Sequence, residues 1–296
     1  MIRQFRVADW HYQIIYPDGY PCADLFLDSS LPFEEKPTDS GILFRICIDD
    51  SFRPADSGNL VVQEDDPASH CGILLNAHGD YTFRIANPAD QQCGLAQTDA
   101  RFTHMNLALR GNDLTRFLGF NNAMMMMYSF ATADKGTLLV HASAVRRQGT
   151  AYLFLGESGT GKSTHTANWQ RFLGGCDLIN DDNPVVRTIN GHTHVYGSPW
   201  SGKTPCYRQT EAPVGAFVQL EQAPHNAIHR YPPLDAYAAL ISSGSVMKWD
   251  RRIYGGINDT IEQILAQTPV YHLENLPDEA AVRLCHDTIA TATNDE

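Results

Sequence analysis

The chain has 296 residues, of which 43% are hydrophobic and 19% are charged. This is enough for one large or two ordinary globular domains with a buried core. Acidic residues outnumber basic ones by 34 to 22, a formal net charge of −12, which disfavours nucleic acid or an anionic membrane as a partner.

The cysteines and the first residues of the chain indicate the cellular compartment of the protein. The seven cysteines are scattered without a C-x-x-C pair, which argues against a disulfide framework and a zinc site. The first ten residues lack the apolar core of a signal peptide, and no run reaches the roughly eighteen apolar residues of a membrane span. We therefore expect a cytoplasmic enzyme.

Residues 1–110 contain short aromatic and β-branched runs separated by turn residues. The pattern predicts a small antiparallel β domain, rolled or sandwiched, whose role the residues do not indicate. A helix from Asp113 to about Thr132 would open a second domain, residues 111–296. The predicted strands are Phe5–Tyr16, Ile42–Ile48, Leu60–Val62, Ile73–Asn76, Tyr81–Ala86 and Phe102–Leu109, with a hairpin turn at 78–80.

Two apolar runs, 138–145 and 150–156, are separated by a polar turn at 146–149. They predict a β-hairpin. His141 interrupts the first run. A lone histidine in an apolar strand is more often a core residue than a functional one, so spacing alone leaves both interpretations open.

The segment 156–163, Gly-Glu-Ser-Gly-Thr-Gly-Lys-Ser, matches the phosphate-binding pattern G-x-x-x-x-G-K-[ST]. Glycines let successive N–H groups turn inward around a phosphate, and the predicted helix Lys162–Leu173 would offer its positive end to the same anion. Lys162 would reach the β- and γ-phosphates, and Ser163 would bind Mg²⁺. The residues predicted to bind the nucleotide are Gly156, Glu157, Ser158, Gly159, Thr160, Gly161, Lys162, Ser163 and Thr164.

A short strand beyond this helix ends in Asp181-Asp182. A parallel neighbouring strand would deliver the two carboxylates beside the phosphates. At a metal–phosphate site one carboxylate can hold Mg²⁺ while the other accepts a proton from an attacking hydroxyl. The alternative is a simple turn before Pro184.

Two further segments carry candidate substrate-binding residues. The glycine-bracketed loop 197–204 contains Trp200, which could wall a pocket, and Lys203, which could meet a phosphate or an acidic acceptor. Arg251 and Arg252 could stabilise a transferring phosphoryl group. A solvated surface is the alternative for both segments.

Together these residues resemble the catalytic core of HPr kinase/phosphorylase. The likeness is greater to the HPr-kinase-related proteins of bacterial peptide-modification clusters, and it covers roughly residues 111–296. The segments that carry it are Val140–Val145, Gly156–Ser163, Asp181-Asp182, Pro199–Lys203, Thr268–Leu273 and Leu276–Asp278.

The resemblance implies an α/β protein (α+β overall) with a phosphoenolpyruvate-carboxykinase-like nucleotide-binding core and a mixed sheet. It implies ATP and Mg²⁺ as cofactors and a hydroxyl as phosphate acceptor. His141 corresponds to the active-site histidine of that family, and Asp181 and Asp182 correspond to its metal and base carboxylates. The stretch that follows the aspartate pair in HPr kinases is not found, so HPr is not implied as the substrate.

The sequence therefore predicts a kinase with Lys162, His141 and Asp182 as catalytic residues, and with Ser163 and Asp181 as metal ligands. The acceptor would be a serine of a protein or peptide, or a small molecule, and a second copy of the chain is a candidate partner. Two other hypotheses remain: a nucleotide-sensing module without chemistry, and an ATPase without a phosphoacceptor.

Overall fold

The computed structural model describes residues 1–21, 23–66, 69–202 and 204–291. The chain divides into two compact units, Met1–Ala131 and Thr132–Glu296. The division falls at the end of a long helix, whereas the sequence places the domain boundary before that helix, at residue 110.

The first unit combines one large sheet with the long helix α2. Its described elements are β1 (Ile2–Val7), β2 (Trp10–Ile15), α1 (Ala23–Leu27), a 3₁₀ helix (Asp28–Phe33), β3 (Glu34–Glu35), β4 (Ile42–Ile48), β5 (Asn59–Asp66), β6 (Ser69–Leu75), β7 (Tyr81–Ala86), β8 (Gln92–Thr98), β9 (His104–Leu109) and α2 (Asp113–Thr132). The strands lie in the order β3-β1-β2-β4-β9-β8-β7-β6-β5.

This sheet is mixed, so the prediction of a purely antiparallel β domain is wrong. Strand β4 pairs in parallel with both β2 and β9, because longer connections return the chain to the same edge. The predicted strand Phe5–Tyr16 is a hairpin whose turn residues Ala8 and Asp9 adopt positive φ values of 46° and 63°. The turn at 78–80 joins β6 to β7 as predicted.

Aromatic packing joins α2 to this sheet. The rings of Tyr12 and Phe44 stack with centroids 5.0 Å apart, and Tyr128 of α2 packs edge-on against both. The Tyr128 hydroxyl donates a hydrogen bond to the Val7 carbonyl at 3.0 Å. Buried aromatic pairs with a satisfied hydroxyl stabilise such a contact in one geometry.

The second unit contains the glycine-rich segment. Its described elements are β10 (Thr137–Leu139), β11 (Ala142–Arg147), β12 (Thr150–Leu155), α3 (Lys162–Phe172), β13 (Cys176–Asn180), β14 (Val185–Ile189), β15 (His192–Tyr196), β16 (Glu211–Gln222), β17 (Ala227–Arg230), α4 (Pro233–Ser243), α5 (Arg251–Leu265), β18 (Val270–Asn275) and α6 (Glu279–Thr291).

Strand β12, which leads into the glycine-rich segment, lies inside the second sheet. The strand order is β10-β14-β15-β16-β12-β11-β13, and β18 pairs with β16 and β17. The predicted hairpin of β11 and β12 is confirmed. The prediction that β13 neighbours β12 is wrong: β13 pairs antiparallel with β11, which lies between them. Because both pairings are antiparallel, β12 and β13 still run in the same direction and end at the same edge.

A buried cluster supports β12 and α3 from one side of the sheet. It joins Phe154 of β12, Trp169 of α3 and Val218 of β16 to Cys285 and Ile289 of α6. These side chains are at most 2% exposed, so removing any large one would leave a cavity under the glycine-rich segment. The cluster packs β12 and α3, the two elements that flank the glycine-rich segment, against each other and against α6.

The mixed α/β class predicted from the sequence is confirmed, with two large mixed sheets and a few helices. None of the helices within the described ranges combines the length and apolar character needed to cross a bilayer.

Candidate functional site

The segment 156–161 forms a loop between the end of β12 and the start of α3. Gly156 has a φ of 142°, and a Cβ there would lie 2.6 Å from Thr160 Oγ1, so only glycine fits. Gly161 is the N-cap residue of α3 with a left-handed φ of 103°, and no side-chain hydrogen bond caps the helix at this position. The first N–H groups of α3 therefore keep their capacity to bind an anion.

Lys162 folds back over this loop. Its ammonium donates hydrogen bonds to the carbonyl oxygens of Gly156 at 2.7 Å and Glu157 at 3.0 Å. The side chain is buried, and burial lowers the pKa of Lys162, whereas the carboxylates of Asp182 and Asp181 act in the opposite direction. The lysine thus places positive charge at the mouth of the loop.

His141 connects Lys162 to Asp182. The Lys162 ammonium lies 2.9 Å from His141 Nε2, and His141 Nδ1 lies 3.2 Å from Asp182 Oδ1. An ammonium can only donate, so Nε2 accepts and the proton of a neutral ring is on Nδ1, the nitrogen nearer the carboxylate. A hydrogen bond from ammonium to imidazole and a close contact from imidazole to carboxylate therefore connect the three groups beside the loop.

The backbone around His141 also belongs to this arrangement. The His141 N–H donates to the carbonyl of Ser243 at 2.7 Å, and the Ala142 N–H donates to the carbonyl of Asp182 at 2.8 Å. Asp182 Oδ2 accepts a hydrogen bond from the Asn183 side chain at 2.7 Å. Each oxygen of this carboxylate therefore has a close partner, and the Asp182 side chain remains about one-third exposed (33%).

Asp181 has a different environment. It is 4% exposed, and its Oδ1 accepts a hydrogen bond from Ser143 Oγ at 2.8 Å. Ser143 Oγ lies 3.0 Å from Thr166 Oγ1, and Thr166 lies one helical turn after Lys162. Asp181 Oδ2 is buried and has no hydrogen-bond partner within the described part of the chain. A buried carboxylate oxygen without a donor is suited to a cation.

Asn180 holds the aspartate pair in place. Its side-chain oxygen accepts hydrogen bonds from the N–H groups of Asp182 and Asn183, both at 2.9 Å. Its side-chain nitrogen donates to Ser198 Oγ at 3.1 Å and to the Trp200 carbonyl at 3.0 Å. Every hydrogen-bonding group of this buried amide is thereby used to join two loops.

The second loop approaches the aspartates closely. A Cβ on Gly202 would lie 2.9 Å from the Asp181 carbonyl oxygen, so a larger residue would displace the pair. Trp200, predicted as a pocket wall, is buried. Lys203, the other predicted substrate residue of this loop, lies outside the described residues.

The two candidate arginines lie elsewhere in the second unit. Arg252 forms an ion pair with Asp134 at 2.9 Å, in a cavity whose lining contains no residue of 156–163. Arg251 is the exposed first residue of α5. Their predicted role in the site remains a prediction.

Sequence reasoning missed the residues that hold the aspartates. Ser143, Thr166 and Asn180 are buried polar side chains, and each contacts a residue far away in the sequence. One signal was available: Asn180 is a polar residue at the inner end of a strand, directly before the aspartate pair. Within the described ranges, no group of three or more His, Cys, Asp or Glu side chains is placed to hold a metal ion.

Comparison with known proteins adds little to this geometry. No family model and no curated protein matches the chain. Among solved structures, it is similar to the HPr(Ser) kinase/phosphatase from Coxiella burnetii, with a TM-score of 0.31 and 11% identity, over 53% of this chain and 95% of that one.

Proposed function

We propose that the second unit is an ATP- and Mg²⁺-dependent phosphotransferase that moves the γ-phosphoryl group to a hydroxyl. The observation that carries this proposal is the chain of close contacts from Lys162 through His141 to Asp182, beside a loop that follows a phosphate-binding pattern. A loop that only bound phosphate would not require a lysine tied to a carboxylate through an oriented imidazole.

The loop and helix α3 fit a triphosphate. The glycines permit inward-turned N–H groups, and the start of α3 adds the positive end of its dipole. Lys162 would exchange its contacts with the Gly156 and Glu157 carbonyls for contacts with the β- and γ-phosphates. Main-chain groups of residues 156–164 would hold the remaining oxygens.

Asp181 and Ser163 are the proposed magnesium ligands. The partnerless Oδ2 of Asp181 supplies one buried anionic oxygen, and Ser143 holds the other oxygen of the same carboxylate. Mg²⁺ uses one or two protein ligands together with phosphate oxygens and water, so a cluster of three carboxylates is not required. Bound there, the ion would neutralise charge on the β- and γ-phosphates.

Asp182 is the proposed base. As the acceptor oxygen forms its bond to the γ-phosphorus, the bond from that phosphorus to the bridging oxygen breaks and ADP leaves. The hydroxyl proton passes to Asp182 Oδ1. The imidazole of His141 keeps this carboxylate oriented. The Lys162 charge polarises the imidazole and so acts on the carboxylate as well. Its partial exposure suits a group that must meet an acceptor, whereas the buried Asp181 suits a ligand role.

The experiment is incubation of the full chain with Mg²⁺ and γ-labelled ATP, with serine-containing peptides and small hydroxyl compounds as acceptors. Transfer of label to an acceptor supports the proposal. Release of free phosphate alone supports an ATPase, and bound but unchanged ATP supports a sensing module.

A further inference from the structure

The two ends of the sheet in the first unit differ in character. At one end lies β3, a strand of only two residues, Glu34–Glu35. Its carboxylates form ion pairs with Arg3 at 2.6 Å and with Arg6 at 2.7 Å. Very short, charged edge strands are a common means of preventing a sheet from pairing with another chain. This end of the sheet is therefore protected.

The opposite end is formed by β5, a strand of eight residues, Asn59–Asp66. Among the described strands, β5 pairs with β6 alone. The N–H and C=O groups on its outer side therefore face no strand of the described chain. A long edge of this kind is a template on which a further strand can form.

The side chains of β5 are exposed on both faces of the sheet. Leu60 is 61% exposed and Val61 is 43% exposed. Three adjacent positions further along, Gln63, Glu64 and Asp65, are exposed as well. Neighbouring side chains of a strand point to opposite faces, so neither face of β5 is covered there. An added strand would remove part of the surface of Leu60 and Val61 from water, which is favourable for apolar side chains.

The charge of β5 argues against a second copy of this chain as the added strand. Its last three residues, Glu64, Asp65 and Asp66, are acidic, whereas its first half is uncharged. The pairing with β6 is irregular between Leu60 and Val62 and regular from Val62 onward. Two-fold antiparallel pairing centred on this regular part would place Glu64 opposite its own copy, and like charges directly opposite each other are destabilising.

A basic segment would meet the opposite situation. Lysine or arginine side chains placed across from Glu64 and Asp65 form cross-strand pairs of opposite charge, which stabilise a sheet. The whole chain carries a formal net charge of −12, so a basic partner is also attracted from a distance.

We propose that β5 is a docking edge for an extended, basic segment of a partner protein, which joins the sheet as an additional antiparallel strand. Basic residues in the first half of that segment lie opposite Glu64 and Asp65, and apolar residues in its second half lie opposite Leu60 and Val61. Main-chain hydrogen bonds supply affinity, and the charges select the partner. The docking edge lies within the first unit, so it does not depend on the function proposed for the second.

The test uses the full chain and a fluorescein-labelled peptide, Lys-Lys-Lys-Thr-Val-Thr-Val-Thr, whose binding is followed by fluorescence anisotropy at physiological ionic strength. One control peptide carries N-methyl groups on its central backbone nitrogens, so it keeps the charge and the side chains but cannot form the main-chain hydrogen bonds of a strand. The other control has glutamate in place of each lysine. We expect both controls to bind at least about tenfold more weakly than the lysine peptide.

Two variants of the chain locate the effect. Asp65→Lys should weaken binding of the lysine peptide about fivefold and strengthen binding of the glutamate peptide, because it reverses one cross-strand charge pair. Asp39→Lys makes the same change in net charge at an exposed residue between β3 and β4, and it should leave both affinities unchanged. Equal effects of the two variants would show general charge attraction and overturn the docking edge.

Hydrogen exchange identifies the strand that is contacted. Binding of the lysine peptide should slow exchange of backbone amides within Asn59–Asp66 and leave those of Glu34–Glu35 unchanged. Absence of binding, binding without protection of β5, or equal binding of the N-methylated peptide overturns the proposal. Protection of β5 that increases with the concentration of the chain alone would assign this edge to a second copy and would also overturn it.

Discussion

The side-chain ammonium of Lys162 and Nε2 of His141 lie 2.9 Å apart, although Lys162 begins α3 and His141 lies 21 positions earlier, directly before β11. Because the ammonium donates, the imidazole must carry its own proton on Nδ1, where it faces Asp182 Oδ1 at 3.2 Å. The loop lysine and the proposed base are therefore linked through one ring, and a change at either end should be felt at the other.

Replacing Lys162 by alanine should abolish nucleotide-dependent activity. The substitution removes the cation that lies over the loop, and losing one preorganised donor typically costs on the order of 100-fold or more in turnover. ADP formation and nucleotide titration would measure the two effects. Arg171→Ala, at the exposed far end of the same helix, is the matched control and should retain activity. Persistent activity in Lys162→Ala would place the site elsewhere.

Asp182→Asn should preserve nucleotide binding and lower turnover by roughly 10²–10⁴-fold, the usual contribution of a general base. The amide keeps the shape of the side chain but cannot take the hydroxyl proton. Titration of ATP beside single-turnover kinetics separates the two quantities. If binding and turnover fell together, Asp182 would instead be a metal ligand.

Ser143→Ala should raise the Mg²⁺ concentration needed for half-maximal activity by about tenfold, the usual effect of removing a group that orients a metal ligand. The Ser143 hydroxyl donates to Asp181 Oδ1 and so presents Oδ2 of the same carboxylate. The rate at saturating Mg²⁺ should change little. Ser242→Ala, which removes a hydroxyl bonded to the Ala239 carbonyl, is the control. A fall in maximal rate at unchanged Mg²⁺ dependence would rule out this positioning role.

His165 should make the second unit sensitive to acid. Burial lowers the pKa of His165 to about 4, from about 6.5 in the unfolded chain. Between these values the unfolded state binds the extra proton, so stability falls as pH falls. Linkage puts this loss at about 2 kcal/mol between pH 7 and pH 5.

The variant His165→Gln tests this assignment. Glutamine keeps an acceptor for Trp169 Nε1, which donates to His165 Nε2 at 3.0 Å, but it does not titrate. Urea unfolding at pH 7 and pH 5 should show a smaller loss in the variant than in the native chain. His225→Gln, at a mostly exposed side chain, should behave as the native chain does. Equal losses in His165→Gln and the native chain would contradict the assignment.

The local elements of the second unit were largely predictable because consecutive residues encode them. The hairpin of β11 and β12 and the helix α3 follow from apolar runs, a polar turn and good helix formers. The residues that hold the aspartates in place, such as Ser143, were not predictable in this way. Ser143 reaches Asp181 across 38 positions, and a sequence does not reveal such contacts without knowledge of strand order.

The first unit shows the same limit on a larger scale. Its strands are short and apolar, so most of them could be predicted. The parallel pairing of β4 with β2 and β9 could not, because it depends on the path of the connections between these strands. The local residue pattern is enough to predict that a segment is a strand. It does not predict which strand that segment pairs with, because pairing depends on the rest of the sheet.

By itself, the sequence determined the backbone freedom of Gly156 and Gly161, the charge of Lys162 and the presence of two adjacent carboxylates, because these are properties of residues and their immediate neighbours. Only the tertiary structure decided that His141 joins Lys162 to Asp182 and that Asp181 is buried while Asp182 is partly exposed. The physical reason is the insertion of β11 between β12 and β13, which brings three separate segments to one edge of the sheet and gives each carboxylate its own surroundings.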